Sequence, residues 1–227
     1  MIPYKGVVSK QILIKVTSRG RKDALLKCVS EAVRLAKHPE QLKWLFTVDF
    51  DDTDMPYMVK DISELIPSAK FRAGYSDSKI HAINRDARDF PLDWNILVNL
   101  SDDQLCVMQD WDEKIKQLMP PDTDASLWFN DGRQDQLNTM EIIGRKYYER
   151  FGYIYHPSYK SFFADNEAND VAGKRLIKSN ECLFKHLQPK WVKESHLAYD
   201  ETYTRHEKYW DQDHANYRLR KLGGFKG

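Results

Sequence analysis

Cysteine, glycine and long apolar runs are scarce in this 227-residue sequence. The three cysteines, Cys28, Cys106 and Cys182, are far apart and odd in number, which fits neither a disulfide framework nor a cysteine-based zinc site. The chain contains no run of about 18 apolar residues, so we expect no transmembrane segment. Its first residues, MIPYK, lack the apolar core of a signal peptide. Together these features predict a cytoplasmic protein.

A strong net charge of either sign is also missing. Lys and Arg number 35 against 34 Asp and Glu, which gives a net charge of +1. This balance excludes nucleic-acid binding through overall charge, although it permits a local basic patch. Hydrophobic residues make up 41% of the chain and aromatic residues 12%, which is enough for a folded core. We therefore expect a globular protein.

Several common nucleotide and hydrolase motifs are absent. The chain has ten glycines, and they form neither a G-x-x-x-x-G-K-[ST] loop nor a G-x-G-x-x-G turn after the first predicted strand. This excludes the usual P-loop and dinucleotide-binding patterns. No H-E-x-x-H or G-x-S-x-G motif is present, which excludes the common zinc protease and serine hydrolase patterns. A phosphate ligand would have to be held by a metal ion and cationic side chains.

Short apolar runs alternate with amphipathic stretches between residues 10 and 104. The apolar runs predict strands at residues 12–17, 44–48, 70–75 and 94–100. The periodic stretches predict helices at residues 22–36, 56–66 and 80–87. Such alternation is typical of βαβ units. We therefore expect an α/β fold with a mostly parallel sheet flanked by helices on both faces.

The alternation is less regular after residue 105. Further strands are predicted at residues 127–129, 140–143 and 153–155, and helices at residues 108–118 and 145–151. The last residues, 200–227, are polar and predict a surface helix or tail. Because no linker rich in Pro or Gly divides the chain, we expect one domain over residues 1–227 with an embellished C-terminal part.

Polar and charged residues follow three of the predicted strands. They occupy residues 17–21, 49–54 and 101–104. Acidic turns are common because Asp caps helices, but ligands also bind at the carboxyl ends of strands in open parallel sheets. The adjacent acids Asp102 and Asp103 would repel each other unless a cation lay between them. A cationic turn and two acidic clusters at one edge favour a ligand with a phosphate, hydroxyls and a divalent cation.

The order of these segments resembles the GT-A nucleotide-sugar glycosyltransferases, most closely family 2-like members. The segments that carry the resemblance are VTSRGR (16–21), TVDFDDTD (47–54), SKIHAINRD (78–86), WNILVNLSDDQ (94–104), LWFNDG (127–132) and GRKYYERFGYIYHPSYKSFFADNE (144–167). The resemblance covers most of residues 10–190. It implies a GT-A-like (Rossmann-like) fold, with a nucleotide-binding half at residues 10–104 and an acceptor-side half at residues 105–199.

The resemblance also implies residues that bind the nucleotide-sugar donor. Thr17 and Arg19 match the turn that contacts the nucleotide. Either Asp49 or Asp51 matches the acid that accepts a hydrogen bond from the base, and the sequence leaves both open. Three further residues are expected to face the donor, with the last of them near the ribose: Lys79, Asn84 and Asp102.

Metal binding and catalysis are assigned by the same resemblance. Asp103 is the expected direct ligand of Mn²⁺ or Mg²⁺, because Ser101 stands where many members have the first aspartate of a D-x-D-like motif. His186 matches the C-terminal histidine that completes metal coordination in some members. Asp165 or Glu167 matches the carboxylate that activates the acceptor, and the sequence does not decide between them.

The function implied is transfer of a sugar from a nucleoside diphosphate sugar to an acceptor hydroxyl, with inversion of the anomeric centre. The acceptor is left open among a glycan, a lipid-linked sugar, a protein and, least favoured, a modified DNA base. Two alternatives remain: a metal-dependent nuclease or other phosphate-ester enzyme, and a non-catalytic protein that binds nucleotide sugars or glycans. A sugar-nucleotide pyrophosphorylase would need a glycine-rich first turn, which is missing.

Overall fold

Strands and helices alternate through the N-terminal part of the chain. A computed structural model describes residues 10–90, 93–190, 193, 195 and 199–226. The elements of its first half are β1 (Ile12–Thr17), α1 (Lys22–Leu35), β2 (Lys43–Asp49), α2 (Met55–Leu65), β3 (Lys70–Gly74), α3 (Lys79–Asn84) and β4 (Ile96–Ser101). The strands and helices predicted for this part are therefore confirmed, with shifts of a few residues at their ends.

The second half contains shorter elements. They are β5 (Gln104–Cys106), α4 (Trp111–Leu118), β6 (Ser126–Phe129), β7 (Ile142–Gly144), α5 (Arg145–Phe151), α6 (Ala164–Ala172), β8 (Leu176–Ser179), β9 (Phe184–His186), α7 (Glu201–Glu207) and α8 (Trp210–Leu222). The last two occupy the polar segment for which the sequence predicts a helix or tail. No helix in the described parts of the chain combines the length and apolar character needed to cross a bilayer.

Seven strands of the described chain form one mixed sheet in the order β3-β2-β1-β4-β7-β6-β8. The first four strands pair in parallel, β7 is antiparallel to both β4 and β6, and β8 is parallel to β6. A separate antiparallel pair joins β5 and β9. The expected α/β fold with a mostly parallel sheet is confirmed.

Helices cover both faces of this sheet, because alternate apolar side chains of the central strands point to opposite sides. Ile12, Ile14 and Val16 of β1 belong to a core that also contains buried side chains of α1, α2 and α4. Leu13 of the same strand belongs to a second core with α3, α5 and α6. The carboxyl ends of β1, β2 and β4 are thereby fixed side by side, since Thr17 pairs in register with Thr47 and Ser101.

Residues 153–155 do not form the strand that the sequence predicts. Gly152 ends α5 in a left-handed conformation with φ of 73°, and the chain then bends. The Asn84 side-chain oxygen accepts hydrogen bonds from the backbone N–H groups of Ile154 and Tyr155 at 2.9 and 3.1 Å. A side-chain amide therefore satisfies backbone groups that a neighbouring strand would otherwise bind.

Candidate functional site

The turn after β1 connects the two acidic clusters. The Arg19 guanidinium donates to Asp51 at 2.6 and 2.7 Å and to Asp49 at 3.2 Å. The Gly20 backbone N–H donates to the Asp52 carboxylate at 3.1 Å. On the other side, the Ser18 hydroxyl donates to Asp102 at 2.6 Å. The two clusters therefore meet at one edge of the sheet, as the sequence predicts, and the turn lies between them.

Asp49 is the more rigidly held of the two candidate base-binding acids. Its Oδ1 accepts hydrogen bonds from the Ser76 hydroxyl at 2.8 Å and from Arg85 at 3.0 Å, while its Oδ2 faces Arg19. The side chain of Asp51 is 57% exposed and contacts Arg19. Sequence reasoning placed Arg19 here but missed Arg85, which also donates to the carbonyl of Val48 at 2.7 Å.

A buried network of hydrogen bonds holds the Arg85 side chain in place. Lys15 is fully buried on the central strand β1, and its ammonium donates to the Thr47 hydroxyl at 2.6 Å. Thr47 in turn donates to Asp86 at 2.7 Å, and Asp86 accepts from Arg85 at 3.2 Å. Burial lowers the pKa of Lys15 to about 7, against the attraction of Asp86. These contacts fix the orientation of the side chains behind Asp49.

The adjacent acids at the end of β4 have different environments. Burial and the neighbouring Asp103 raise the pKa of Asp102 to about 6, although Arg21 and Ser18 contact it. Burial also acts to raise the pKa of Asp103, but the charge and hydrogen bond of His186 and the charge of Lys79 hold it well below its ordinary value. Asp103 is therefore the member of the pair that stays ionised.

His186 reaches Asp103 through a pair of three-residue strands. The pairing of β5 with β9 places His186 opposite Gln104, and the His186 Nε2 lies 3.3 Å from the Asp103 Oδ2. The His186 Nδ1 is buried with no hydrogen-bond partner among the described residues and lies 4.0 Å from Asp131. Sequence patterns did not predict these two short strands, which bring together the two residues expected to bind metal.

The donor set of Asp103 and His186 fits a hard divalent cation that takes its other ligands from water and phosphate. Carboxylate oxygen suits Mn²⁺ and Mg²⁺, and Mg²⁺ commonly binds one or two carboxylates together with substrate phosphates. Across the described residues, no three His, Cys, Asp or Glu side chains are arranged to hold a metal ion by themselves. A closed structural metal site is therefore not what these residues form, whereas an open two-ligand site is consistent with them.

Asp165 and Glu167, the two candidate bases, lie on the first turn of α6 in unlike surroundings. Asp165 is partly buried and accepts a hydrogen bond from the backbone N–H of Asn166 at 3.0 Å. Burial raises its pKa, although Lys79 and His186 act to lower it. Glu167 is 3% exposed, accepts from the Tyr159 hydroxyl at 2.7 Å and forms a salt bridge with Arg220 at 2.7 Å. Glu167 therefore attaches α8, whereas Asp165 forms no ion pair with any described residue.

Removing Arg220 should test the role of Glu167. Because Arg220→Met leaves a buried carboxylate without its cation, we expect the free energy of unfolding to fall by about 3 kcal/mol in urea titrations. Adding Glu167→Gln should restore much of that loss. Lys221→Met, which removes the next residue's exposed pair with Asp170, is the control and should change stability little. Unchanged stability of Arg220→Met would contradict this structural role.

Lys79 and Asn84 occupy opposite ends of α3, and they differ in whether other parts of the fold already bind their side chains. The Asn84 amide donates to the carbonyl of Tyr155 at 2.7 Å as well as accepting from the same loop, so its hydrogen bonds hold the bend after α5. Lys79 lies close enough to Asp103 and Asp165 to lower the pKa of both. Within the described residues, no carboxylate forms an ion pair with Lys79, so its charge is available to the site.

Contacts from the C-terminal segment were not foreseen. The Arg21 guanidinium forms two hydrogen bonds with Asp200, at 2.7 and 2.6 Å, and lies 3.9 Å from the centre of the Tyr203 ring. Tyr203 also donates to Asp103 at 3.4 Å. The sequence marks Arg21 as part of a cationic turn, but no local pattern links it to a residue 179 positions away.

Solved structures with a similar fold were found for this chain. The mannosyltransferase PcManGT from Pyrobaculum calidifontis, solved with GDP-Man and Mn²⁺, matches with a TM-score of 0.61 and 14% identity over 78% of this chain and 57% of that chain. Residues 1–349 of TarS from S. aureus match with a TM-score of 0.58 and 9% identity over 78% and 60%. A cytidylyltransferase from Leptospira borgpetersenii matches with a TM-score of 0.52 and 15% identity over 76% of each chain.

At these identities the likeness shows the fold, and the fold is GT-A-like. The chain spans 57–60% of the length of PcManGT and the TarS fragment. The sequence itself matches no protein-family model and no curated protein.

Proposed function

We propose that the chain is a glycosyltransferase that moves a sugar from a nucleoside diphosphate sugar to an acceptor hydroxyl, with Mn²⁺ or Mg²⁺ as cofactor. One observation carries the proposal. At the carboxyl end of β4, the His186 Nε2 lies 3.3 Å from the Asp103 Oδ2. The charges of Lys79 and His186 act to lower the pKa of both Asp103 and Asp165. These shared influences support a site that combines a candidate pair of metal ligands with a carboxylate whose pKa is raised.

The donor would lie along the edge where the two acidic clusters meet. Thr17 and Arg19 would contact the nucleotide, with Asp49 as the favoured acceptor for the base because its orientation is fixed by Ser76. Asp102 would lie near the ribose. Asp103 and His186 would hold the cation, which when bound neutralises the charge that develops on the leaving diphosphate.

Acceptor activation is assigned to Asp165. A carboxylate can remove the acceptor's proton only if it is ionised, and its basicity is greater when burial raises its pKa. Attack from the side opposite the diphosphate would invert the anomeric centre. Holding both substrates in line supplies a large share of the rate in such reactions, since the chain then replaces a chance encounter by a fixed geometry.

Nucleotidyl transfer is the second candidate. The cytidylyltransferase is the one of the three structures above of which this chain covers more than two thirds, at 76%. Against this candidate, the turn VTSRGR contains one glycine and lacks the glycine-rich phosphate loop expected of a pyrophosphorylase. The two reactions differ in their products: a nucleoside diphosphate from glycosyl transfer, and pyrophosphate from nucleotidyl transfer.

A thermal-shift screen should identify the donor. We expect one nucleoside diphosphate sugar, tested in a panel that includes GDP-mannose, to raise the melting temperature in Mn²⁺ and to lose most of that effect in a chelator. At a ligand concentration about 100 times the Kd, the gain is about 2.7 kcal/mol, or roughly 5–10 °C for a chain of this size. Mn²⁺ alone and the free sugars are the controls. No stabilisation by any member of the panel would contradict the proposal.

A further inference from the structure

Arg21 is clamped by a carboxylate that comes from the other end of the chain. Its side chain is 6% exposed, and its Nε and Nη2 donate to the two oxygens of Asp200 at 2.7 and 2.6 Å. Its remaining Nη1 donates to Asp102 at 3.2 Å. Two parallel hydrogen bonds are the arrangement in which arginine binds a carboxylate or a phosphate equally well. Asp200 therefore occupies a position on Arg21 that a phosphate group could take.

Burial makes this clamp asymmetric. The side chain of Asp200 is 34% exposed, whereas that of Arg21 is 6% exposed. Asp200 therefore pays a smaller desolvation penalty in this pair than Arg21 does, and its Oδ1 also accepts from the backbone N–H of Tyr203 at 3.3 Å. A buried guanidinium that loses one of its anions needs a replacement, because an uncompensated buried charge is strongly unfavourable. A ligand anion that enters at Asp200's position would supply that replacement.

Two further cationic side chains, Lys79 and Arg205, act near this point on His206 of α7. His206 has a buried Nδ1 with no hydrogen-bond partner among the described residues. The pKa of His206 is lowered to about 4, mainly by burial and then by the positive charges of Lys79, Arg205 and Arg21. Tyr203, one turn earlier on α7, contacts both Arg21 and Asp103. The first turns of α7 thus lie over the end of β4, and the neutral imidazole of His206 lies within reach of the charges of Lys79, Arg205 and Arg21.

We propose that Asp200 is an internal competitor for a diphosphate ligand: it holds Arg21 in the ligand-free protein, and the diphosphate displaces it. Arg21 and Lys79 then face the ligand together, beside the buried Nδ1 of His206, which has no hydrogen-bond partner among the described residues. The inference rests on the proposed function for the sugar nucleotide as the natural source of the diphosphate. A diphosphate carries more charge than a carboxylate, so exchange is favourable where several cations converge.

The test is the affinity for inorganic pyrophosphate at fixed Mg²⁺, measured by calorimetry. Asp200→Asn should bind pyrophosphate at least about fivefold more tightly than the unmodified chain, because the competing charge is gone. Glu201→Gln, an equal change of charge at an exposed neighbouring side chain, should leave the affinity unchanged. Asp200→Ser keeps an acceptor for the Tyr203 backbone N–H and provides a second uncharged variant if Asp200→Asn folds poorly.

Repeating the comparison in an Arg21→Gln background separates competition from a general charge effect. The gain from Asp200→Asn should disappear there, because Asp200 and the ligand no longer share a partner. An equal gain in both backgrounds, or no gain in either, would overturn the inference. The probe carries no sugar or base. Loss of the proposed glycosyl transfer would therefore show as a failure of every nucleotide sugar, while the pyrophosphate comparison remained interpretable.

Discussion

Asp103→Asn should reduce the metal-dependent affinity for the nucleoside diphosphate donor by a factor on the order of 100 or more and abolish turnover, while the fold remains intact. The reason is the electrostatic state of this side chain. His186 and Lys79 hold the pKa of Asp103 well below its ordinary value, so Asp103 carries a full negative charge at neutral pH. Asparagine keeps the shape and the contact with Ser101 but removes that charge.

The ligand-free protein should tolerate this substitution. Two adjacent buried carboxylates repel each other, and Asp103 is a cause of the raised pKa of Asp102. Its removal relieves that repulsion, but it also removes the attraction to His186 and Lys79 that lowers the pKa of Asp103, so the melting temperature should fall modestly at neutral pH. Donor affinity should be measured by calorimetry with Mn²⁺ and with chelator, and Asp23→Asn, at a side chain that is 92% exposed, is the control. Full activity of the unmodified chain in chelator would refute a metal-dependent reaction.

The parallel half of the fold could be predicted because three of its four strands, β1, β2 and β4, are buried and largely apolar runs closed by polar residues. In β1 every residue from Ile12 to Val16 is buried, and the run ends where the helix-forming sequence begins. The elements β5, β8 and β9 have three or four residues each and partly exposed patterns, so periodicity could not identify them. Their pairing depends on partners distant in sequence, and local patterns do not record such partners.

The candidate site, like the fold, could be predicted only where it depends on local sequence patterns. Acidic residues directly after buried strands had to meet at the sheet edge, because parallel strands end on one side. The choice between Asp165 and Glu167 was not predictable. Glu167 differs through Arg220, which lies 53 residues away on α8. Likewise the clamp of Asp200 on Arg21 depends on how the C-terminal segment packs, and the intervening sequence contains no motif for it.

These long-range contacts pair some charged side chains of the site and its surroundings and leave others without an ion-pair partner. Arg220 compensates Glu167, and Asp49 is shared between Arg19 and Arg85. Asp165 is within reach of the charges of Lys79 and His186. Paired charges thus hold the surrounding side chains in place, while Asp165 and Lys79 have no ion-pair partner among the described residues.

Asp165→Asn should lower kcat by a factor of roughly 10² to 10⁴ and leave donor affinity nearly unchanged, because it removes a proton acceptor and no donor contact. Asparagine can still accept from the Asn166 backbone N–H, so α6 should keep its first turn. Burial raises the pKa of Asp165, which makes the neutral form more favourable in the folded state than in the unfolded chain. The stability that this proton contributes is lost as pH rises through the raised pKa. The variant should therefore be equally or more stable at neutral pH.

The pH profile gives the distinguishing measurement for this substitution. In the unmodified chain, kcat/KM should fall as pH decreases through the raised pKa of Asp165, since only the ionised carboxylate accepts the acceptor's proton. That acidic limb should be absent from the residual activity of Asp165→Asn. The matched control is Asp170→Asn, on the same helix, whose carboxylate accepts hydrogen bonds from Tyr217 and Lys221. This variant should keep both kcat and the acidic limb. A full kcat in Asp165→Asn would show that another group removes the proton.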